Sequence, residues 1–154
     1  MLERIAKLLK EKNLWIATAE SCTAGLLAHK LTNIPGSSEY FKGGIVAYSN
    51  EIKVKLLGVK EDTLEKYGAV SYETAVEMAI GIKNLMNVDI GISTTGIAGP
   101  GGATPSKPVG LVYIGLAGKE IKAKKFNFQG NRLQNKERFA ESALKMLLEY
   151  LEEL

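Results

Sequence analysis

The sequence predicts a layered α/β fold with a mostly parallel sheet. Short apolar runs, typical of buried strands, alternate along the chain with segments of helical periodicity. The last two strand-like segments follow one another as a hairpin, which would place one antiparallel strand in the sheet. At 154 residues, without a repeat, a linker or a low-complexity tract, the chain is expected to form one domain over residues 1–154.

Five segments have the apolar, β-branched character of strands and are bounded by Gly, Pro or polar residues. These segments are 14–19, 44–49, 88–95, 109–118 and 120–128.

Five helices and one short helical turn are predicted between the strands. The helices cover residues 2–12, 20–31, 50–58, 71–86 and 131–154, and the turn covers 61–67. The second helix is expected to open at Glu20-Ser21-Cys22-Thr23, with Ser21 or Thr23 as its cap. Residues 32–43 and 96–108, which are rich in Gly and Pro, are expected to be loops.

The composition excludes several classes of protein. Apolar residues make up 45% of the chain and the net charge is only +3, which argues against general disorder. No apolar run approaches the roughly 20 residues of a membrane span, and the first residues lack the features of a signal peptide, so a cytoplasmic protein is expected. The densest basic cluster, at 119–125, lies along a predicted strand and is typical of a protected edge, so neither nucleic acid nor membrane is expected as a partner.

Cysteine and histidine are too scarce for most metal or disulfide chemistry. Cys22 is the only cysteine and His29 the only histidine, so an internal disulfide and a His-rich metal site are excluded. His29 falls in a predicted helix with no acidic residue close in sequence, which favours a surface position over a catalytic one.

Three loops should meet where the predicted parallel strands end, because ligands of open α/β sheets bind beyond the carboxyl ends of the strands. They read TAESCTAG at 18–25, YSNEIK at 48–53 and TTGIAGPGG at 94–102. Their small and hydroxyl-bearing residues would let backbone N–H groups approach an anion or an oxyanion, although glycines can also serve tight turns alone. The third loop matches neither the dinucleotide nor the nucleoside-triphosphate pattern, which favours a smaller phosphorylated ligand.

A Ser–Lys pair is the most economical chemistry for such a site. Lys53 lies one helical turn beyond the second loop and could act as a base if burial lowers its pKa, whereas Lys55 would project from another face of the helix. The candidate nucleophiles are Ser21 and Ser38, followed by Ser37 and Cys22. Arg132, at the start of the last helix, could grip a phosphate or be a surface charge.

Taken in order, several motifs resemble the CinA C-terminal domain family over about residues 5–150. The motifs are TAESCTAG (18–25), PGSSEYFKGGIVAYSNEIK (35–53), LGV (57–59), YGAVS (67–71), STTGIAGPGG (93–102) and KPVGLVYIG (107–115). The resemblance implies a three-layer α/β/α sandwich with a mixed five-stranded sheet, in the stand-alone form of the domain. It also implies the PncC-type amidohydrolase activity that converts nicotinamide mononucleotide (NMN) to nicotinic acid mononucleotide and ammonia in pyridine nucleotide salvage, with no metal or cofactor.

The family's Ser/Lys pattern falls here on a small set of residues: Ser21, Ser38, Tyr48, Lys53 and Arg132. Lys53 would take the proton of the attacking serine, Tyr48 would orient the lysine or relay a proton, and Arg132 would hold the phosphate. The resemblance favours Ser38 as nucleophile, while the position of Ser21 at a helix start favours oxyanion binding, and the choice stays open. The residues expected to contact the substrate are Thr23, Asn50, Thr95, Gly96, Ala98, Gly99 and Arg132.

Two positions depart from the family's pattern. Ala24 stands where the family more often has glycine, and Gly101 stands where an acidic residue often follows the GIAGP loop. The alternative function is therefore a non-catalytic nucleotide-binding or regulatory module that keeps the pocket. The apolar positions of the last helix would suit either a homo-oligomer or packing on the sheet.

Overall fold

A five-stranded sheet forms the centre of the computed structural model, which describes residues 1–154. Its strands are β1 (Ile16–Glu20), β2 (Phe41–Val46), β3 (Ile90–Gly96), β4 (Leu111–Ala117) and β5 (Ile121–Asn127). They are ordered β2-β1-β3-β4-β5, with β1 parallel to both of its neighbours and β4 antiparallel to both of its own. Only β4 therefore runs against the other four strands, which confirms the mixed, mostly parallel sheet.

Six α-helices cover the two faces of this sheet. They are α1 (Leu2–Glu11), α2 (Leu26–Thr32), α3 (Asn50–Leu57), α4 (Glu61–Tyr67), α5 (Tyr72–Met86) and α6 (Arg132–Glu153). The larger core joins α1, α2 and α6 to one face, and a second core joins α3 and α5 to the other. The three-layer α/β/α sandwich is confirmed, and none of its helices combines the length and apolar character needed to cross a membrane.

The predicted start of the second helix was wrong. β1 continues through Glu20, the residues from Ser21 to Gly25 form turns, and α2 begins only at Leu26. Neither predicted cap is used, because Gly25 is the N-cap residue and makes no side-chain bond to the helix. A buried acidic side chain replaces the cap, as described below.

The second strand lies three residues earlier than predicted, at 41–46 instead of 44–49, and a short 3-10 helix (Ser37–Glu39) precedes it. Gly43, which was predicted to end a loop, lies inside this strand together with Gly44. A side chain at Gly44 would collide with the hydroxyl of Thr18 on β1, so glycine permits the close pairing of the two strands.

Local capping explains where the two longest helices begin. The Ser71 hydroxyl accepts the backbone N–H of Thr74 at the start of α5. Asn131 and Gln134 form a reciprocal capping box at the start of α6, which fixes the position of Arg132. The parallel register of β2, β1 and β3 brings their carboxyl ends to one edge of the sheet, beside the start of α6.

Candidate functional site

A cavity of about 230 Å³ lies at the carboxyl ends of the parallel strands. It is lined by residues that follow β1 and β2, including two of α3, by the end of β3 and the loop after it, by the segment between α4 and α5 and by the first residue of α6. The lining residues are Ser21, Cys22, Tyr48, Asn50, Lys53, Ala69, Val70, Thr95, Gly96, Ile97, Ala98, Gly99, Gly101, Gly102 and Arg132. None of them is acidic.

Nine of the predicted site residues line this cavity together. They are Ser21, Tyr48, Asn50, Lys53, Thr95, Gly96, Ala98, Gly99 and Arg132. Two predicted residues, Ser38 and Thr23, do not line it.

Lys53 is the most unusual group of the site. Its side chain belongs to α3 and the residue is only 1% exposed. Burial lowers the pKa of the amine below its ordinary value of 10.5, with a smaller opposing effect from the neighbouring Cys22. Its Nζ donates one hydrogen bond, 3.0 Å long, to the backbone carbonyl of Tyr48, and it has no acidic partner. An amine without a counter-ion in such a place is suited to act as a base.

Tyr48 orients this lysine through its main chain instead of its phenol. The carbonyl oxygen of Tyr48 accepts from Lys53, whereas its phenol accepts a bond of 3.3 Å from Nη2 of Arg132. The phenol ring is 60% exposed, so it lies at the mouth of the cavity.

Ser21 and Cys22 bring two candidate nucleophiles to the cavity wall. The backbone N–H of Ser21 donates to the Thr94 carbonyl, but the Ser21 hydroxyl makes no hydrogen bond within the chain and is free to meet a ligand. Burial raises the pKa of the Cys22 thiol to about 12, so the thiolate needed for attack is scarce at neutral pH. The Ser21 hydroxyl, which is free and lines the same cavity as the Lys53 amine, is the candidate that a neighbouring base can activate.

A buried carboxylate holds the turn that carries Ser21. Oε1 of Glu20 accepts the hydroxyl of Thr23 (2.6 Å) and the backbone N–H groups of Gly25 (3.2 Å) and Leu27 (2.8 Å). Its Oε2 accepts the N–H of Ala28 at 3.0 Å. Glu20 thus caps α2 from the end of β1, and a carboxylate at this place also suits the positive end of the helix.

Thr23 belongs to this buried network. Its hydroxyl lies 2.6 Å from Glu20 and 2.7 Å from the hydroxyl of Thr94, and the residue is 1% exposed. Thr23 therefore lies beneath the cavity and not in its lining, and its hydroxyl is already used in hydrogen bonds there.

The loop after β3 offers free backbone donors. Four of its N–H groups donate no hydrogen bond within the chain; they belong to Ala98, Gly99, Gly101 and Gly102. Arg132 approaches the same loop, with Nη1 donating to the carbonyl of Gly99 at 2.7 Å. Free amides beside a guanidinium form a place for an anionic group of a ligand.

The glycines in and beside this loop differ in the space that surrounds them. A side chain at Gly96 would meet the Leu111 backbone, and one at Gly99, where φ is +87°, would meet Val109. A side chain at Gly101 would enter open space. Packing thus accounts for the first two glycines, while Gly101 leaves room in the cavity that a larger residue could occupy.

Ser38 lies at the amino end of β2, whereas Lys53 lies near its carboxyl end. It belongs to the 3-10 helix that precedes the first residue of β2, whereas Lys53 follows the last residue of that strand. The side chain of Ser38 is exposed, and its neighbour Glu39 pairs with Lys10 of α1. Within one chain, the structure does not bring Ser38 to the lysine.

The first departure from the family's pattern lies outside the cavity. Ala24 is exposed on the turn after β1, with a left-handed φ of +48°. Its methyl group therefore strains the backbone slightly and does not crowd the site.

Sequence reasoning missed two polar residues that shape the site, Glu20 and Asn135. Glu20 stands inside the quoted TAESCTAG motif but carries no obvious signal of its own. Asn135 lies three positions after Arg132, so both side chains share one face of α6, and this spacing could have indicated it.

Comparison with known proteins agrees with this architecture. The model of the CinA C-terminal domain matches residues 1–151. A CinA-like protein of Chloroherpeton thalassium is 58% identical over 154 residues, which are 97% of this chain and 37% of that protein. The chain thus spans little more than a third of the length of this curated relative.

Solved structures of similar size match almost throughout. A CinA superfamily protein from Klebsiella pneumoniae superimposes with a TM-score of 0.96 at 31% identity, covering 99% of this chain and 96% of that one. The competence/damage inducible protein CihA from Agrobacterium tumefaciens gives 0.92 at 36% identity, with 98% and 94% covered. By the match of its sequence and by its fold, the chain belongs to the CinA C-terminal domain family.

Proposed function

We propose that this chain is an amidohydrolase that converts NMN to nicotinic acid mononucleotide and ammonia, a step of pyridine nucleotide salvage. The observation that carries the proposal is the buried, unpaired amine of Lys53 in the same cavity as the free hydroxyl of Ser21. Family membership supports hydrolase chemistry in general, and the free amides beside Arg132 suit the phosphate of a mononucleotide.

In the first half of the proposed reaction, uncharged Lys53 accepts the hydroxyl proton of Ser21 while Oγ attacks the carboxamide carbon. The two groups are not hydrogen bonded in the free protein, and the transfer requires them to approach to about 3 Å once substrate is bound. Backbone N–H groups of the cavity stabilise the oxyanion of the tetrahedral intermediate. The C–N bond then breaks, and the protonated lysine gives its proton to the departing ammonia.

In the second half, a water molecule attacks the ester formed on Ser21, and Lys53 again accepts the proton. The ester bond to Oγ breaks, Ser21 regains its proton and nicotinic acid mononucleotide leaves. Both halves use the same base, and the net reaction consumes one water and releases one ammonia.

The test is an assay of ammonia and nicotinic acid mononucleotide released from NMN in the presence of a chelator. Lys53→Met and Ser21→Ala should each lower kcat by about 10²-fold or more, because general-base catalysis typically contributes about 10²–10⁴-fold. Lys55→Met is the matched control, since Lys55 is an exposed lysine of the same helix that pairs with Glu51.

Ser38→Ala decides between the two serines. Activity that survives Ser38→Ala and disappears in Ser21→Ala supports Ser21 as nucleophile, and the reverse result rules it out. Saturable binding of NMN without ammonia release from the unaltered protein would reject the hydrolase and leave the nucleotide-binding module.

A further inference from the structure

Asn135 ties the glycine-rich loop to α6. The side chain is fully buried, one turn into the helix. Its Nδ2 donates to the carbonyl of Ala98 at 2.9 Å and to the carbonyl of Gly130 at 3.0 Å. The amide therefore links the cavity loop to the segment that leads into Arg132.

The same side chain has a polar atom that no other group satisfies. Oδ1 of Asn135 is buried and has no hydrogen-bond partner. Burying an unpaired polar oxygen is unfavourable, and an apolar side chain of similar size would avoid it. The bonds that Nδ2 makes are therefore the reason for an asparagine here, since an apolar side chain would leave both carbonyls without this donor.

The bond to Ala98 also sets the direction of the next N–H group. In a trans peptide the carbonyl and the following N–H point in opposite directions. With the Ala98 carbonyl directed to Asn135, the N–H of Gly99 points away from α6, and it donates to no acceptor within the chain. Arg132, in the same helical turn as Asn135, donates to the carbonyl of Gly99, so the peptide groups before and after Gly99 are both held by hydrogen bonds.

We propose that Asn135 is a positioning residue that orients the N–H of Gly99 into the cavity as a donor to an anionic oxygen of the ligand. This inference rests on the proposed function for the identity of the ligand. The oxygen belongs either to the phosphate or to the carboxamide as it becomes an oxyanion, and both would be bound by the same N–H chemistry.

The first measurement uses the unaltered, ¹⁵N-labelled protein. The amide signal of Gly99 is followed during titration with nicotinic acid mononucleotide, which is not turned over, and separately with inorganic phosphate. A shift with both ligands identifies the phosphate as the partner, and a shift with the mononucleotide alone identifies the carboxylate that replaces the carboxamide. No shift with either ligand overturns the proposal.

The second measurement compares Asn135→Leu with the control Ser142→Ala, which alters another buried polar residue of α6 remote from the loop. The leucine variant should move the Gly99 signal of the free protein, abolish its response to ligand and lower kcat/KM by at least tenfold. The loss falls on KM if the phosphate is the partner and on kcat if the oxyanion is. An unchanged Gly99 response, with kcat/KM within twofold, overturns the proposal.

Two further outcomes stay distinguishable. If the leucine variant does not fold, Asn135→Ala makes the same comparison, because it removes the two donors without adding volume or charge. If the unaltered protein releases no ammonia but Gly99 still responds to the mononucleotide in a manner that depends on Asn135, the proposed hydrolase fails and the positioning role stands.

Discussion

Replacing Glu20 by glutamine tests whether one buried carboxylate holds both a helix and the proposed nucleophile. Its Oε1 accepts three donors and its Oε2 accepts one. Glutamine offers one oxygen and one NH₂ group, so its oxygen would take the place of Oε1 and its NH₂ would face the N–H of Ala28. Two donors would then oppose each other in a buried place.

The expected loss of stability follows from these four bonds. A hydrogen bond to a charged group contributes about 1.5–3 kcal/mol and a neutral one about 1 kcal/mol. Losing the bond to Ala28 and weakening the other three should therefore lower the free energy of unfolding by about 2–4 kcal/mol. For a protein of this size, such a change lowers Tm by roughly 5–15 °C.

Urea unfolding and thermal unfolding of Glu20→Gln measure this loss, with Glu39→Gln as control because Glu39 is an exposed partner of Lys10. In the folded variant, kcat/KM for NMN should fall as well. Ser21 follows Glu20 directly in the chain, and Thr23 and Gly25 of the same turn donate hydrogen bonds to the carboxylate. A Tm within about 2 °C of the unaltered protein would refute the reasoning, since four bonds to a buried charge cannot be weakened at no cost.

Three further predictions concern individual residues. Because burial lowers the pKa of Lys53, and the uncharged amine is the proposed base, kcat/KM should rise with pH along a limb that lies below 10.5. The unfolded chain binds this proton more tightly, so the free energy of unfolding should also rise with pH between the lowered pKa and 10.5, and Lys53→Met should remove that rise in urea unfolding measured against pH. Arg132→Lys keeps one charge but cannot reach both the Gly99 carbonyl and the phenol at the cavity mouth, so KM for NMN should increase about tenfold while Arg138→Lys leaves it unchanged. Ala24→Gly should raise the free energy of unfolding by up to about 1 kcal/mol, because φ is +48° there, and a lower stability in urea would contradict the strain.

Much of the fold could be predicted because local patterns and packing agree. The helix predicted at 71–86 begins after Ser71 and ends at Met86, since its cap and its apolar face both lie within the segment. The strand at 41–46 was displaced in the prediction, because its glycines face side chains of other elements: Gly44 faces Thr18 of β1 and Gly43 faces Met86 of α5. Contacts between elements distant in sequence cannot be recognised from the local pattern of apolar and polar residues.

The candidate site shows the same limit for individual residues. Lys53 was predicted from its place one helical turn beyond residues 48–50, and the helix that begins at Asn50 preserves that place. Ser38 is nearer to Lys53 in sequence than Ser21 is. The full length of β2 nevertheless separates Ser38 from Lys53, because Ser38 precedes this strand and Lys53 follows it. Thr23 and Glu20 have polar side chains in a promising motif, but their hydrogen bonds point inward, and only the three-dimensional arrangement reveals that.

The charge arrangement explains how a lysine can be a base at this place. The cavity has no acidic lining residue, so no carboxylate of its wall stabilises the protonated form of Lys53. Glu20, at the end of the neighbouring strand, directs its charge to the four donors of the turn and α2 instead. Tyr48 offers Lys53 only a carbonyl, which accepts from a neutral amine as well as from a charged one. An acidic side chain within reach of Lys53 would raise the pKa of the amine and weaken the proposed base.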